Sequence, residues 1–391
     1  MGVSQDQSKT SLAEFRSQFI ALQNKHYLNF GAQGVISERT LQAMMESYHF
    51  VQENGPLNNT MFEWIVNQAK QLKETIASNF GGEAGSYAIT QNATEGCNIA
   101  LWGVDWKEGD RLLLTDSEHN GVVAAAKQLS KRRGVILDYC DLSKLQSDEQ
   151  ILKELEQSLK SKPRMFLFSH VLWNTGAVLP AKQIASLCRQ SSCISVIDGA
   201  QSAGVLPIDV ADIGADAYAI TGHKWMGGPE GVGSLHVREE ALDFIQPTFV
   251  GWRSTVYDGS ENPPFLKGAA RFEIATSPFP LMSGLDQALQ IHSSYASAEE
   301  RYQRIVRIAR ALRAEIESLP GVKFLSERQD SSLVSFTLEN RSPGQIVKAL
   351  EENFKVTVRT IPFPSCIRAS VHYFSEDEAR EFASALAAVL K

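Results

Sequence analysis

A lysine in an apolar setting stands out among four polar clusters that follow predicted buried strands. Lys224 ends the run Thr221-Gly222-His223-Lys224 and is followed by Trp225-Met226 and a glycine-rich turn. Apolar neighbours keep water away from an ammonium group and lower its pKa, which suits Schiff-base chemistry with carbonyl compounds. A lone lysine after a strand is more often solvated, so this cluster indicates an active site only in combination with the other three.

The other three clusters carry groups that bind ions. Asp198 directly follows the apolar run 194–197, and it is either a helix N-cap or the partner of a cationic ring nitrogen, because an unpaired buried carboxylate is costly. Thr94, in Asn92-Ala93-Thr94, begins a predicted helix, where its hydroxyl and the backbone N–H groups either bind a phosphate or cap the helix. His119, in Ser117-Glu118-His119-Asn120, is either structural or catalytic.

Composition excludes several classes of protein. The 391 residues include 38 Lys+Arg and 45 Asp+Glu, and the net charge of −7 disfavours a dedicated nucleic-acid binder. The five cysteines form no CxxC pair and no zinc-type cluster, so we predict a reducing compartment and no metal site. Neither a P-loop nor a GxGxxG fingerprint is present. The polar N-terminus and the lack of a long apolar stretch predict a cytoplasmic protein without a membrane span.

Short apolar runs alternate with helical patterns through the first 280 residues. The predicted strands are 87–90, 111–115, 135–137, 165–168, 194–197, 217–220 and 233–237. Because these runs are apolar throughout, we predict an α/β domain with a mostly parallel sheet sandwiched by helices. Ligands of such sheets bind beyond the carboxyl ends of the strands, which is where the four clusters lie.

The pattern changes after about residue 281. One long helical stretch is predicted up to residue 319, followed by strands at 333–338, 356–360 and 367–373. Ser342 and Ser375, each with Gln or Glu three residues later, predict capping boxes for two further helices. We predict an N-terminal helical segment (1–20), a large α/β domain (21–280) and a small α+β domain (281–391) that includes part of the N-terminus.

In their order and spacing, the four clusters resemble the class V aminotransferase group of fold-type I pyridoxal phosphate (PLP) enzymes. The resemblance runs from Tyr27-Leu28-Asn29 to the last helix. The sequence is most similar to the NifS-like cysteine desulfurases, and within them to the cyanobacterial L-cysteine/cystine C–S lyases. This resemblance implies the fold-type I PLP-dependent transferase fold, PLP as the cofactor, and a homodimer with composite sites.

The resemblance also implies a role for each cluster at the cofactor. Lys224 would hold PLP covalently and later act as general base, Asp198 would pair with the pyridinium nitrogen, and His119 would stack on the ring. These three are the predicted catalytic residues. The remaining predicted cofactor residues are Gln201 at the ring oxygen, Thr94, Thr221 and His223 at the phosphate, and Thr276 from the partner subunit.

Substrate-binding residues are likewise implied by the resemblance. Arg368 matches the arginine that binds the substrate α-carboxylate, a bidentate task suited to guanidinium. Arg359 is a candidate for a second carboxylate, as is Arg253. Trp252 either packs on the substrate or is a rim aromatic. Asn174, predicted at the carboxylate or the ring oxygen, lies one position after Trp173, where the desulfurases have asparagine.

One departure from the desulfurases changes the predicted reaction. Their mobile loop carries a cysteine that accepts sulfur, whereas the segment here is short and contains two prolines. Cys366 stands two residues before Arg368, and we interpret it as a packed cysteine. Without a nucleophilic thiol, sulfur must leave by β-elimination. The predicted substrates are L-cystine and, more weakly, L-cysteine, giving pyruvate, ammonia and a persulfide (or sulfide) for iron–sulfur cluster assembly through an acceptor protein.

Two alternatives remain open. The first is a cysteine desulfurase or another class V enzyme, such as an aminotransferase or an epimerase, and stoichiometric alanine in place of pyruvate would favour the desulfurase. The second is a non-catalytic PLP-fold binding or carrier protein, which a colourless protein in excess PLP would favour.

Overall fold

The computed structural model describes residues 11–391. Its helices are α1 (Leu12–Ser17), α2 (Glu38–Asn54), α3 (Asn59–Phe80), α4 (Ala93–Trp102), α5 (Asn120–Arg133), α6 (Asp148–Leu159), α7 (Ala181–Gln190), α8 (Val210–Ile213), α9 (Phe279–Tyr295), α10 (Ala298–Glu317), α11 (Pro343–Phe354) and α12 (Glu376–Leu390). Its strands are β1 (His26–Tyr27), β2 (Tyr87–Thr90), β3 (Arg111–Thr115), β4 (Ile136–Cys140), β5 (Met165–Ser169), β6 (Ile194–Asp198), β7 (Ala217–Thr221), β8 (Gly233–Val237), β9 (Val322–Phe324), β10 (Leu333–Leu338), β11 (Val356–Thr357), β12 (Arg359–Pro362) and β13 (Ser365–Ser370).

Seven strands form one large sheet in the order β2-β8-β7-β6-β5-β3-β4. Strand β8 is antiparallel to both of its neighbours, and the other adjacent pairs are parallel. Every strand predicted from the sequence up to residue 237 is present, with shifts of at most a few residues at the ends. Strands β2, β3, β5, β6 and β7 therefore end at the same edge of the sheet, which gathers the polar clusters that follow four of them.

The sheet is covered on both faces, as its uninterrupted apolar strands predict. Alternate residues of one strand belong to two separate hydrophobic cores: Phe166 and Phe168 of β5 pack in one, and Met165 and Leu167 in the other. Side chains alternate between the two faces of a strand, so each core fills one side of the sheet. Among the described residues, the structure contains no helix with the length and apolar character needed to cross a membrane.

A second, antiparallel sheet has the order β12-β13-β10-β9 and packs with α10 and α11, and α12 packs against these two helices. The N-terminal part of the described chain joins this region. Strand β1 pairs in parallel with β11, and Arg16 forms an ion pair with the buried carboxylate of Glu378. The division into three segments stays a prediction, and its residues 1–10 lie outside the described part of the chain.

Several local expectations for the C-terminal region are wrong. The single helix predicted up to residue 319 is two helices, because Ser297 begins α10 with a reciprocal capping box to Glu300. Helix α9 packs against α2 and α3, whereas α10 packs against α12. The capping boxes predicted at Ser342 and Ser375 are absent. Instead, the Ser375 hydroxyl accepts a hydrogen bond from the His372 amide at 3.1 Å.

Candidate active site

A cavity of about 450 Å³ lies at the carboxyl edge of the large sheet. The predicted residues that line it are Thr94, His119, Asp198, Gln201, Thr221, His223, Lys224, Arg359 and Arg368. We call the residues at the strand ends of the large sheet the floor, and the β12–β13 hairpin, which contributes the two arginines, the roof. The cavity is thus built from segments that are far apart in the sequence.

Lys224 lies in the turn that follows β7. Burial lowers its pKa to about 8; the cations Arg368 and Arg359 act in the same direction, and the carboxylate of Asp198 opposes them. At pH 8 about half of such amines carry no proton and are nucleophilic. The turn is held tightly against the N-terminal segment, since a Cβ at Gly34 would lie 1.8 Å from the carbonyl oxygen of Lys224.

Asp198 is the last residue of β6 and is buried. Its Oδ1 atom accepts a hydrogen bond from the Ala200 amide at 2.9 Å, while no hydrogen bond to Oδ2 is found within residues 11–391. No helix begins after Asp198, because the chain continues in turns, so the N-cap interpretation is wrong. The carboxylate therefore keeps one oxygen for a partner in the cavity.

Helix α4 points its first turn at the cavity. Its N-cap is Asn92, whose Oδ1 accepts a hydrogen bond from the Glu95 amide at 3.0 Å, so the interpretation of Thr94 as the N-cap is wrong. The hydroxyl of Thr94 and the free amides of the first turn face an anion site of the kind that helix N-termini provide. Nearby, the Thr221 hydroxyl and His223 Nδ1 are 2.8 Å apart and hydrogen-bonded.

His119 has a structural role as well as a place at the cavity. It is the N-cap of α5, where Nδ1 accepts a hydrogen bond from the Gly121 amide at 3.2 Å. Burial and the neighbouring Lys224 lower its pKa, so the ring is neutral and its proton sits on Nε2. The ring meets the edge of Trp173 at a centroid distance of 5.4 Å.

Glu118, which the sequence placed beside His119 without a role, is a buried carboxyl group in the floor. It accepts hydrogen bonds from the Thr115 hydroxyl (2.6 Å), the Ser169 amide (3.0 Å) and the Ser169 hydroxyl (2.7 Å). These bonds tie the end of β3 to the end of β5. Burial raises the pKa of Glu118 to about 7 despite these donors.

In the roof, two arginines stand side by side. Arg359 and Arg368 are directly opposite each other in the β12–β13 register, so their side chains share one face of the hairpin. Arg368 is 0% exposed, and Nη1 donates to the Trp173 carbonyl at 2.5 Å, while Nε and Nη2 have no partner among the described residues. Burial, with a contribution from Arg359, lowers the pKa of Arg368 to about 9.

Gly31 is a cavity residue that the sequence analysis did not identify. A Cβ there would lie 2.9 Å from Nη2 of Arg368 and 3.1 Å from Oε1 of Gln201, so any larger residue would displace these two cavity side chains. No local pattern in the sequence signals this requirement, because Arg368 reaches Gly31 only through the tertiary fold.

Cys366 is a buried residue of the roof itself, as its interpretation as a packed cysteine requires. The register pairs Pro362 with Ser365, so only two residues turn the hairpin. Cys366 is 0% exposed and packs with Trp173 and Ile361, and burial raises the pKa of its thiol to about 12. All five cysteines of the chain are buried, and none of them lines the cavity.

Three predicted site residues do not line the cavity. Asn174 is buried and donates hydrogen bonds to the Ser117 hydroxyl (3.2 Å) and to the Phe363 carbonyl (3.4 Å), which ties the hairpin tip to the floor. Trp252 lines a separate surface cavity, and Thr276 is exposed.

Arg253 is also placed elsewhere. Its guanidinium donates to Glu273 at 2.9 Å and to the Ser277 hydroxyl at 3.0 Å. Within one chain it is therefore not a partner for a second substrate carboxylate.

Comparison with known proteins gives one family and several relatives. The family model described as Aminotransferase class-V matches residues 26–379. The solved complex between the cystine C–S lyase C-DES and its reaction product cysteine persulfide is similar at 40% identity and a TM-score of 0.90, covering 95% of this chain and 99% of that chain. A C-DES variant with glycine covalently linked to the PLP cofactor is similar at 40% identity and a TM-score of 0.91, covering 95% of this chain and 98% of that chain.

Relatives identified by sequence are more distant or partial. Isopenicillin N epimerase of Streptomyces clavuligerus is 32% identical over 209 residues, which span 53% of this chain and about half (51%) of the epimerase. A probable cysteine desulfurase of Methanothermobacter thermautotrophicus is 24% identical over 86% of this chain and 88% of that protein.

Proposed function

The chain belongs to the class V aminotransferase family, and on that premise we propose that it is a PLP-dependent C–S lyase that cleaves L-cystine, and more weakly L-cysteine, by β-elimination. The family resemblance and the α/β fold expected from the sequence are confirmed. The chain is thus an enzyme of a PLP-dependent family, which disfavours a purely non-catalytic carrier. The substrate, the roles of the site residues and the reaction are the proposal.

The residues of the floor fit PLP. The cofactor needs an amine, an anion site for its phosphate and a carboxylate for its ring nitrogen, and the floor offers Lys224, the first turn of α4 and the unpaired oxygen of Asp198. We assign the phosphate to Thr94, Thr221 and His223, and the ring contacts to Asp198, Gln201 and His119. When bound, PLP withdraws electrons from the substrate Cα and makes its proton acidic.

The protein's own groups then bind the substrate and move its proton. Arg368 receives the α-carboxylate, because its two unpaired donors are buried and point to no other acceptor among the described residues. Lys224, with a pKa of about 8, takes the Cα proton as general base. Arg359 receives the second carboxylate of cystine, which cysteine lacks.

The main observation that supports β-elimination is that no cysteine lines the cavity. A desulfurase thiolate must reach the substrate sulfur, and Cys366 is buried with its pKa raised to about 12. The sulfur therefore departs with the electrons of the Cβ–S bond. One cystine and one water give one pyruvate, one ammonia and one cysteine persulfide. A persulfide is a less basic leaving group than sulfide, which favours cystine over cysteine.

We further propose a homodimer in which Thr276 of one chain completes the site of the other. Thr276 and Trp252 do not line the cavity of their own chain. Trp252 lies on a surface that also exposes Phe62, Val66 and Tyr257, and Arg253 of that surface donates a hydrogen bond to Ser277, next to Thr276. Such an exposed apolar surface is typical of a protein interface. Sedimentation equilibrium is expected to give twice the chain mass, and a monomer at assay concentration would contradict this assignment.

The destination of the sulfur is also part of the proposal. The persulfide would serve iron–sulfur cluster assembly through an acceptor protein, and the five unpaired cysteines fit a reducing, cytoplasmic setting.

Product analysis tests the proposed reaction. The purified holoenzyme is incubated with cystine, with cysteine, or with alanine plus a keto acid, and pyruvate, alanine and persulfide are quantified. We expect pyruvate and persulfide in equal amounts from cystine, and neither from the Lys224→Ala variant. Stoichiometric alanine from cysteine would instead establish a desulfurase, and keto-acid-dependent turnover would establish an aminotransferase.

A further inference from the structure

Trp225 is not among the residues that line the cavity, but its indole is hydrogen-bonded to Gln201, which is. Trp225 directly follows the reactive lysine but is 1% exposed, and its ring stacks against Phe30. Its Nε1 atom donates a hydrogen bond to Oε1 of Gln201 at 3.0 Å. Gln201 is itself buried, and its Nε2 atom donates to the Gly31 carbonyl at 2.8 Å.

These two bonds fix which way the amide of Gln201 faces. An indole N–H can only donate, so the atom that it meets must be the amide oxygen. A backbone carbonyl can only accept, so the atom that meets Gly31 must be the amide nitrogen. The two partners hold opposite ends of the amide, and a flipped amide would place donor against donor and acceptor against acceptor.

One hydrogen of the amide is left over. Gln201 lines the cavity, and its second N–H makes no hydrogen bond to any residue of the described chain. The oxygen is already engaged by a fully buried indole. What Gln201 can offer to a group in the cavity is therefore a donor and not an acceptor, which suits an anionic oxygen.

The position of the indole is itself well determined. The Trp225 carbonyl is 3.0 Å from Nε2 of His372 and hydrogen-bonded to it, and the His372 ring stacks on the indole at 6.3 Å. A Cβ at Gly204 would lie 2.9 Å from the Cβ of Trp225, so the backbone at Gly204 lies close to the base of the Trp225 side chain. These contacts and the burial of the ring restrict rotation of the indole N–H away from Gln201.

We propose that Trp225 is a positioning residue that holds the Gln201 amide as an obligate hydrogen-bond donor toward the oxygen of the PLP ring. The inference rests on the proposed function only in taking PLP as the group in the cavity. The donor stabilises a negative charge on that oxygen and so makes the bound cofactor less basic. Without Trp225 only the Gly31 carbonyl opposes a flip, so the orientation that presents the amide oxygen to the same position becomes more populated.

The test is a spectrophotometric pH titration of the bound cofactor in Trp225→Phe, which keeps an aromatic ring but removes the indole N–H. Loss of the donor leaves the ring oxygen more basic, so the midpoint of the absorbance change is expected to rise by about half a unit to one unit. The PLP dissociation constant is expected to rise about 3- to 10-fold.

Trp106→Phe is the matched control. Trp106 is also buried, and its indole N–H donates to the Leu101 carbonyl at 2.7 Å, away from the cavity. This variant loses an equivalent buried hydrogen bond, so thermal unfolding should change in both variants while the titration midpoint changes only in Trp225→Phe. An unchanged midpoint in Trp225→Phe, or an equal shift in both variants, would overturn the proposal.

A second variant and a double mutant separate positioning from packing. Gln201→Glu keeps an acceptor for the indole but has no N–H, and it should raise the midpoint at least as far with the core around Trp225 intact. In a Gln201→Ala background, adding Trp225→Phe should leave the midpoint unchanged, because the indole acts through the amide. If Trp225→Phe still raised the midpoint in the Gln201→Ala background, the indole would not act through the Gln201 amide. These titrations need no substrate. An unchanged midpoint would refute only the role of Trp225, whereas alanine in place of pyruvate would refute the proposed lyase reaction.

Discussion

The floor and the roof of the cavity differ in how their polar groups are satisfied. In the floor, Asp198, Gln201 and Thr221 each make at least one short hydrogen bond within the protein. In the roof, two arginines lie opposite each other in the hairpin, and their hydrogen bonds to described residues go to backbone carbonyls and not to carboxylates. One of them, Arg368, is fully buried with two of its nitrogens unpaired.

The difference reflects what each part binds. A group that stays in place is served by side chains that are oriented before it arrives, and the hydrogen bonds of the floor provide that orientation. A pair of like charges in a buried site is unfavourable until an anion neutralises it, and the roof therefore favours carboxylates strongly. The floor fits a resident cofactor, and the roof fits a substrate that enters and leaves.

Of the substitutions that test the difference between floor and roof, Arg368→Lys should have the largest effect on activity. Lysine keeps the charge but cannot offer two parallel donors, so we expect kcat/KM for cystine to fall by about 100-fold or more. The measurement is steady-state pyruvate formation together with KM.

Arg301→Lys provides the matched control for Arg368→Lys. Arg301 is also buried (9% exposed, against 0% for Arg368), but it donates to the His292 and Ala296 carbonyls, so its loss should lower stability and leave KM unchanged. Equal KM values for wild type and Arg368→Lys would contradict the assignment of the roof.

Glu118→Gln tests the floor through the pH dependence of stability. The pKa of Glu118 is raised from 4.5 to about 7 by burial, so the folded state holds a proton that the unfolded state releases above pH 4.5. The stabilising contribution is present below pH 4.5 and is lost as the pH rises through 7. Between these values the free energy of unfolding of the wild type should fall by roughly 3 kcal/mol relative to Glu118→Gln.

Urea unfolding at several pH values measures this difference. The glutamine side chain has nearly the same shape and can keep the bond from the Ser169 amide, so its own stability should depend less steeply on pH. If the free energy of unfolding depended on pH in the same way in both proteins, Glu118 would be ionised in the folded state. The floor would then hold a buried charge, as the roof does.

Arg359→Gln should have a smaller and selective effect. Arg359 is only partly buried, and the loss of one ion pair there is expected to reduce kcat/KM for cystine about 10-fold. Cysteine has no second carboxylate, so its kcat/KM should change by less than about threefold, and it serves as the internal control. Equal losses for both substrates would place Arg359 at the α-carboxylate alongside Arg368.

The sequence predicted the floor far better than the roof, and the reason is physical. Strand periodicity and the residues that follow each strand are local properties, so the positions of Asp198 and Lys224 at the sheet edge could be predicted. Which residue caps a helix depends on competing side chains, and Asn92 rather than Thr94 caps α4. At Ser375 a tertiary contact with His372 replaces the capping box that the local pattern indicated.

The roof depends on contacts between distant segments. The need for glycine at position 31 arises from Arg368, and the burial of Arg368 arises from the fold around β13. The donor orientation of Gln201 arises from Trp225 and Gly31 together. No local pattern encodes such contacts, and so the sequence alone indicated an arginine for a carboxylate without showing that its charge is buried and unpaired.

Cys366→Ser should have the smallest effect, and it separates elimination from sulfur transfer. Cys366 is a residue of the roof that packs beside Trp173, and burial raises the pKa of its thiol to about 12, so it is not a thiolate at neutral pH. Pyruvate formation from cystine should stay within about twofold of wild type, with a stability loss of roughly 1 kcal/mol from the buried hydroxyl. Cys97→Ser, at another buried cysteine, should behave alike. A 100-fold loss in Cys366→Ser alone would mean that the hairpin opens to expose a nucleophile, and the roof would then be a sulfur-transfer loop and not a rigid carboxylate site.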